Sequence, residues 1–297
     1  MIRNPLIGLL LAILLLGVRC YAQRKGEAEM EVAGPVSVSL CVEQGSITVR
    51  GWERKAVRVE SSDGAPVRLS RENGGGGTLK LEVLPPEAET KCHRWRDINL
   101  DVPHDATLDL RARNGDVKID GVASVRARSF SGDIVAEHVA EALDVATLNG
   151  NISLSDIVGS AHVRTMSGSV EIRRARGHGV ADGLFVKSTS GDVTLIDAEY
   201  SQIITEALSG SILFSGPIMK NGRYDLRTLS GDISLALPAE ASFRLNARFL
   251  LKGEFSTDFD LRQKEGVGQQ RLSAMHGTGE AFLNLVSLNG RIALRKR

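Results

Sequence analysis

The stretch Leu226-Arg-Thr-Leu-Ser-Gly-Asp-Ile-Ser-Leu235 decides the fold. It reads as an apolar alternation, then Ser-Gly, then a second apolar alternation, and it recurs with small changes from about Leu108 to Leu237. The glycines of the unit are Gly115, Gly132, Gly150, Gly168, Gly191, Gly210 and Gly231, at spacings of 17, 18, 18, 23, 19 and 21 residues, with outlying copies at Gly45 and Gly290. Self-similarity at such a period marks a repeat architecture.

Counting each glycine as zero, positions minus seven and minus five are mostly apolar, as in Leu108 and Leu110, Leu143 and Val145, or Leu283 and Leu285. Positions plus two and plus four are apolar again, as in Val117 and Ile119, Val193 and Leu195, or Ile292 and Leu294. Period-two alternation rich in Val and Ile predicts strands with one buried face, so each unit is strand, corner, strand. Position minus three is small throughout the main run (Ala112, Ser129, Thr147, Thr165, Ser188, Ala207, Thr228), as a side chain turned inward at a tight corner must be. The glycine supplies the corner, because a residue without Cβ reaches positive φ at no steric cost.

Two all-β architectures satisfy this pattern. In a single-stranded β-solenoid each unit is one coil of about 17–23 residues, stacked on the next at the strand spacing. In an antiparallel meander each Asn-Gly or Ser-Gly is a hairpin turn. The return of the same corner with little connecting sequence favours the solenoid.

The tandem Ser/Asn-Gly-Asp-Ile/Val units, the run Leu235-Ala-Leu-Pro-Ala-Glu-Ala-Ser-Phe-Arg-Leu-Asn-Ala247 and the closing Leu288-Asn-Gly-Arg-Ile-Ala-Leu294 resemble the bacterial DUF4097 family of adhesin-like proteins, over about Val36 to Arg297. The resemblance implies β-strand repeats on an exported or envelope protein and carries over no catalytic residues. Leu250-Leu-Lys-Gly253 departs from the family's usual polar glycine turn, which leaves the coil count near Phe255 open.

Residues 1–22 read as a signal peptide: Arg3, an apolar run from Leu6 to Val18, and Cys20-Tyr-Ala22 as a cleavage site before Gln23. Thirteen apolar residues are too few to span a bilayer comfortably, so the mature chain carries no transmembrane segment by this reading. Lipidation at Cys20 is the less favoured alternative, because Arg19 fits a lipoprotein signal poorly. Cleavage removes Arg3 and Arg19 and no acid, taking the formal charge from +1 to −1. Such a chain offers no electrostatic case for nucleic acid. Aromatic content of 4% with 31 glycines suits a thin solenoid interior better than the core of a globular enzyme.

The expected organisation is an irregular N-terminal β region and cap over 23–105, then regular repeats over 106–297 with a C-terminal closing repeat. Arg71-Glu-Asn-Gly-Gly-Gly-Gly77 reads as a loop, since no Lys-Ser/Thr and no helix pattern follow it as a P-loop requires. Cys41 and Cys92, the cysteines left after cleavage, pair as a disulfide or stand as separate thiols; an exported chain favours the bridge. Cys92-His93 alone is weak support for zinc. The six histidines are scattered and form no ligand pair or triad. Asp116, Asp133, Asp192 and Asp232 follow the corner glycines and read as acceptors of turn hydrogen bonds rather than as calcium ligands.

The 23-residue spacing carries an insertion, Arg173-Arg-Ala-Arg-Gly-His-Gly-Val-Ala-Asp182. Arg173, Arg174 and Arg176 make it a candidate contact for an anionic envelope component, against the alternative of a solvated loop. The reading as a whole is an exported periplasmic or cell-surface protein without catalytic, metal or cofactor residues. It acts as a binding surface or scaffold for an envelope glycan or protein partner, with self-association through the solenoid ends also open. The rival is a polysaccharide lyase on a parallel β-helix. That enzyme needs acidic and basic side chains gathered on one groove, whereas the outward corner positions here are Ser, Thr, Asn and isolated Asp.

Overall fold

The computed structural model describes residues 26–72, 78–84, 92–94, 96–263 and 271–297; the expected leader and the glycine run lie outside them. Along the repeat run the strands pair in parallel with the equivalent strand of the next coil, which selects the solenoid over the meander. Ser160–Ser167 pairs with Gly183–Ser190, and that strand with Gln202–Ser209, placing Val163, Val186 and Thr205 in register. On the other side of the corner, Val170–Arg176 pairs with Val193–Glu199, placing Ile172 beside Leu195. Two parallel sheets result, one built from the strands before the glycines and one from those after. Their inward columns at minus seven, minus five, plus two and plus four form one continuous apolar core.

The corner is held by two kinds of ladder. At Gly191 the backbone has φ +131°, and an added Cβ would lie 2.2 Å from the carbonyl oxygen of Gly168 in the coil below. The glycine is thus required by close approach of stacked backbones as well as by its torsion. The corner carbonyls are not left bare: Thr147, Thr165, Thr228 and Ser287 at minus three donate their hydroxyls to Gly132, Gly150, Gly210 and Gly231 of the preceding coil at 3.2, 3.4, 2.9 and 3.1 Å, and Ser188 donates to Gly191 of its own coil at 3.2 Å. A buried carbonyl needs such a donor, which explains why this inward position is so often Ser or Thr.

At plus one the side chains form an external ladder. Asp116 accepts from the backbone N–H of Asp133, Asp133 from that of Asn151, Asn151 from that of Ser169, and Asp192 from that of Ser211. These carboxylates are engaged by the next coil, in the role read from the sequence.

A second bend, not anticipated from the sequence, falls six residues after the glycine. Gly121, His138, Asp156, Arg174 and Asp197 all have positive φ there, between 49° and 72°. The left-handed residue shifts the alternation by one, so plus seven turns inward: Val122, Val139, Ile157, Ala175 and Ala198 are buried. Asp and His tolerate this region better than most residues.

At both ends the order in space departs from the order in the chain. The coil formed by Val36–Gln44 and Ile47–Trp52 lies between Thr107–Asn114 and Val117–Ser131 on one side and Leu79–Leu84 and Ile98–Pro103 on the other. Pairing therefore runs without a break across the expected boundary near residue 105. Likewise Ala281–Asn289 and Ile292–Lys296 are inserted between Arg223–Ser230 and Ile233–Leu237 and the outermost coil, Phe243–Lys252 and Phe255–Thr257. Phe255 stands in register with Ile292, so Gly253 marks a further corner, with a register shift between Phe249 and Lys252. Antiparallel strands finish the stack: Ala56–Ser61, Glu27–Glu31 and Arg68–Glu72 at one end, Arg271–His276 and Arg262–Gln263 at the other. Covering the last parallel strands in this way blunts edge-to-edge addition of another chain.

Cys41, outward at minus four, is joined to Cys92 in a disulfide with a Cα–Cα distance of 4.5 Å. The bridge ties the coil at Gly45 to the segment around His93, whose backbone also pairs with that of Val42.

Candidate binding surface

The inward parity of minus seven, minus five and minus three sends minus six, minus four and minus two outward on the pre-corner sheet. Minus two is an apolar stripe over seven consecutive coils, Phe130, Leu148, Met166, Thr189, Leu208, Leu229 and Leu288, broken only by the threonine. Phe130, Met166, Leu208 and Leu229 are 54%, 51%, 50% and 44% exposed, so four of the most exposed large apolar side chains share one line. Soluble proteins seldom leave apolar side chains contiguous on a surface without a use for them. The signal was present in the sequence, in the Leu or Met of Thr-Leu-Asn-Gly, Thr-Met-Ser-Gly and Thr-Leu-Ser-Gly.

Beside the stripe, minus four is largely cationic: Arg111, Arg128, Ala146, Arg164, Lys187, Glu206, Arg227 and Val286 succeed one another in register. Asp144, in the minus six column, takes hydrogen bonds from both Arg128 (2.6 Å) and Arg164 (3.0 Å). Burial pushes its carboxyl up, but the two guanidinium groups more than offset this and hold it below the ordinary value. Arg227 is forked onto Asp225, and Lys187 lies 3.7 Å from Glu206. Counting Arg113 and the minus six column, seven cations face four carboxylates, so the sheet face is basic although the chain is nearly neutral. In a shallow cleft on this face, His162 stacks on Phe185 with ring centroids 4.7 Å apart.

The second bend forms a separate, charged edge. His138 is hydrogen-bonded to Asp120 at 2.8 Å and lies 4.0 Å from Asp156, and Asp156 takes both arms of Arg174 at 2.8 and 2.7 Å. The hydrogen bond to Asp120 holds the His138 imidazole above the ordinary histidine value, with Asp156 and Glu137 adding to it. Asp120, Glu137 and His138 bring ligand atoms within 4.8 Å of one another, all of them exposed.

The arginines singled out in the sequence belong to this edge and not to a loop. Arg173, Arg174 and Arg176 lie in Val170–Arg176, before the insertion begins. Arg174 is the left-handed residue of its coil and is committed to Asp156, and Arg173 pairs with Glu171. Arg176 stands beside Val158 and Glu199 in register. The expected trio of free forks on an adaptable loop is therefore corrected: ladder pairing and the bend use the first two. The insertion itself closes inward, Asp182 accepting from Ser160 at 2.7 Å and from the backbone of His178 at 2.8 Å. The interior that the long coils open is filled by Tyr200, which donates to the Gly159 carbonyl, and by Tyr224, which donates to that of Tyr200. Burial pushes the Tyr224 hydroxyl up to about 12.

Among the described residues no histidine hydrogen-bonds a serine of the Ser-Gly corners; His104, His138 and His276 bond Gly121, Asp120 and Asp260 instead. No helix of the described residues is long and apolar enough to cross a membrane.

No curated protein matches the chain. A solved structure of a "putative cell adhesion protein" from Clostridium sporogenes ATCC 15579 aligns over 91% of this chain and 99% of its own, at 10% identity and a TM-score of 0.28. The family described as Toastrack DUF4097 matches residues 38–295, nearly all of the solenoid, including both inserted coils. The chain belongs to the Toastrack DUF4097 family.

Proposed function

We propose that this protein is an exported, adhesin-like scaffold of the cell envelope that binds by presenting the outer face of its pre-corner sheet, without chemical turnover. The observation that carries the reading is the line of half-exposed Phe130, Met166, Leu208 and Leu229 beside a basic column on one sheet face. A scaffold of stacked coils repeats one surface many times, which suits an extended partner better than a small molecule. Export is supported by the leader-like first 22 residues and by the Cys41–Cys92 bridge, a bond that persists in oxidising compartments. A lyase would need acid, base and aromatic platforms converging on one groove. On this face the acids are engaged with neighbouring arginines or, for Glu206, with Lys187, and Asp225 is buried beneath Arg227.

The test is retention of the protein on washed envelope material in low salt, comparing the parent with a Met166→Ser, Leu208→Ser, Leu229→Ser variant. The variant is expected to keep its melting temperature and lose most of its retention. Equal retention of the two proteins refutes the assignment of the face, and release of soluble fragments from the material by the pure parent refutes the non-enzymatic reading.

A further inference from the structure

We propose that the partner of this face is the surface of an anionic lipid bilayer; the inference rests on the reading of the pre-corner sheet as the binding surface. The shape argues first. The stripe runs in register over seven coils, about 29 Å at the strand spacing of ~4.8 Å. The cleft beside it at His162 and Phe185 is shallow and confined to a few coils. A helical partner needs a groove to receive its ridge of side chains. A bilayer surface needs none.

The chemistry follows the same line. Leu, Met and Phe side chains on a rigid surface enter the boundary between headgroups and acyl chains, while Lys and Arg a short distance away meet the phosphates. Here the apolar column is two residues from the column of Arg111, Arg128, Arg164, Lys187 and Arg227, about 7 Å along the strand. Each of these five pairs with an acid of the same face, so the attraction for phosphate rests on the excess of seven cations over four carboxylates. The two columns run side by side along the stack, so every coil but that of Thr189 adds one apolar contact and most add one cation. Asp116, Asp133, Asp192 and Asp232 stand past the corner from the stripe, each accepting a hydrogen bond from the backbone of the next coil.

The proposal is tested by co-sedimentation of the full chain with vesicles of phosphatidylcholine alone and of phosphatidylcholine mixed equally with phosphatidylglycerol, in low and in physiological salt. Any contribution from the apolar run at residues 6–18 is common to all variants and cancels between them. The parent is expected to partition about tenfold more strongly onto the anionic vesicles, the preference shrinking as salt screens the charges. Met166→Ser, Leu208→Ser, Leu229→Ser should cut that partitioning by about tenfold or more, and Arg128→Gln, Arg164→Gln, Lys187→Gln should remove the preference for anionic lipid. Leu213→Ser, on the outer face of the other sheet, is expected to change nothing and serves as the control for general loss of apolar surface. Melting curves establish that each variant folds.

Equal partitioning of parent and triple-serine variant overturns the proposal, as does a parent without preference for phosphatidylglycerol. If vesicles are ignored while envelope glycan or protein is bound, and the serine variant loses that binding, the bilayer is the wrong partner and the face remains the right surface. If the variant keeps its binding to envelope material, the reading of the face fails with it.

Discussion

Replacing Gly191 by Ala places one methyl group in the narrowest part of the stack. The Cβ would sit 2.2 Å from the Gly168 oxygen, 2.6 Å from its carbonyl carbon and 3.1 Å from the Ser169 nitrogen, all backbone atoms that no rotamer change can move aside. Two costs follow. Holding a residue with a Cβ at φ +131° costs about 1–3 kcal/mol. Separating the two coils locally costs about 1–3 kcal/mol more, as other overpacking substitutions do. The sum is roughly 2–6 kcal/mol, which at about 2–4 °C per kcal/mol for a domain of this order lowers the melting temperature by roughly 4–24 °C. Gly179→Ala is the matched control, since a Cβ there meets nothing within 4 Å. Denaturant unfolding of both variants followed by circular dichroism measures the difference. Should Gly191→Ala unfold within about 0.5 kcal/mol of Gly179→Ala, the account of the corner as a backbone-on-backbone contact is wrong.

Further outcomes follow from buried polar groups. Thr205 is fully buried between Val186 and Leu226 with its hydroxyl unpartnered, so Thr205→Val is expected to raise stability by about 1 kcal/mol in the same denaturant assay; a loss of stability would show that the hydroxyl is satisfied. Burial holds the His93 imidazole below the ordinary histidine value. The unfolded chain therefore takes up a proton near pH 6.5 that the folded ring resists, so this contribution is intact above that pH and is lost progressively as the pH falls below it. Urea midpoints measured from pH 7.5 to 5 should fall more steeply for the parent than for His93→Phe, and parallel curves would contradict the assignment.

Much of the fold was legible because one rule is repeated many times. Leu108, Leu110, Val117 and Ile119 announce a strand, a corner and a strand, and eight further copies remove the ambiguity that one unit would leave. The second bend was not legible as such. His138, Asp156, Arg174 and Asp197 share a backbone conformation and no side-chain chemistry, and the shift of parity that puts Val139 and Ile157 inside shows only once plus six is known to be left-handed. The inserted terminal coils were hidden for a different reason. Phe255 and Ile292 pair across 37 residues of sequence, and local pattern carries no information about which coil stacks on which. Arg174 misled because a run of arginines beside glycines looks free, whereas its partner Asp156 comes from the equivalent bend one coil away. The exposed apolar stripe was readable in principle, since the parity that buries Thr228 exposes Leu229.

The central claim, that the pre-corner face is the surface through which the protein binds, is tested most directly by the reactivity of single engineered cysteines. Leu208→Cys lies on the stripe, and Ser153→Cys lies on the outer face of the other sheet. Maleimide labelling of each, followed by peptide mass spectrometry with the Cys41–Cys92 bridge intact, is compared for free protein and protein bound to envelope material. Binding is expected to slow labelling at position 208 by about tenfold or more while position 153 reacts at its free rate, as when a half-exposed side chain passes into a contact. Protection at 153 with unchanged reactivity at 208 would place the binding surface on the opposite sheet and contradict the account.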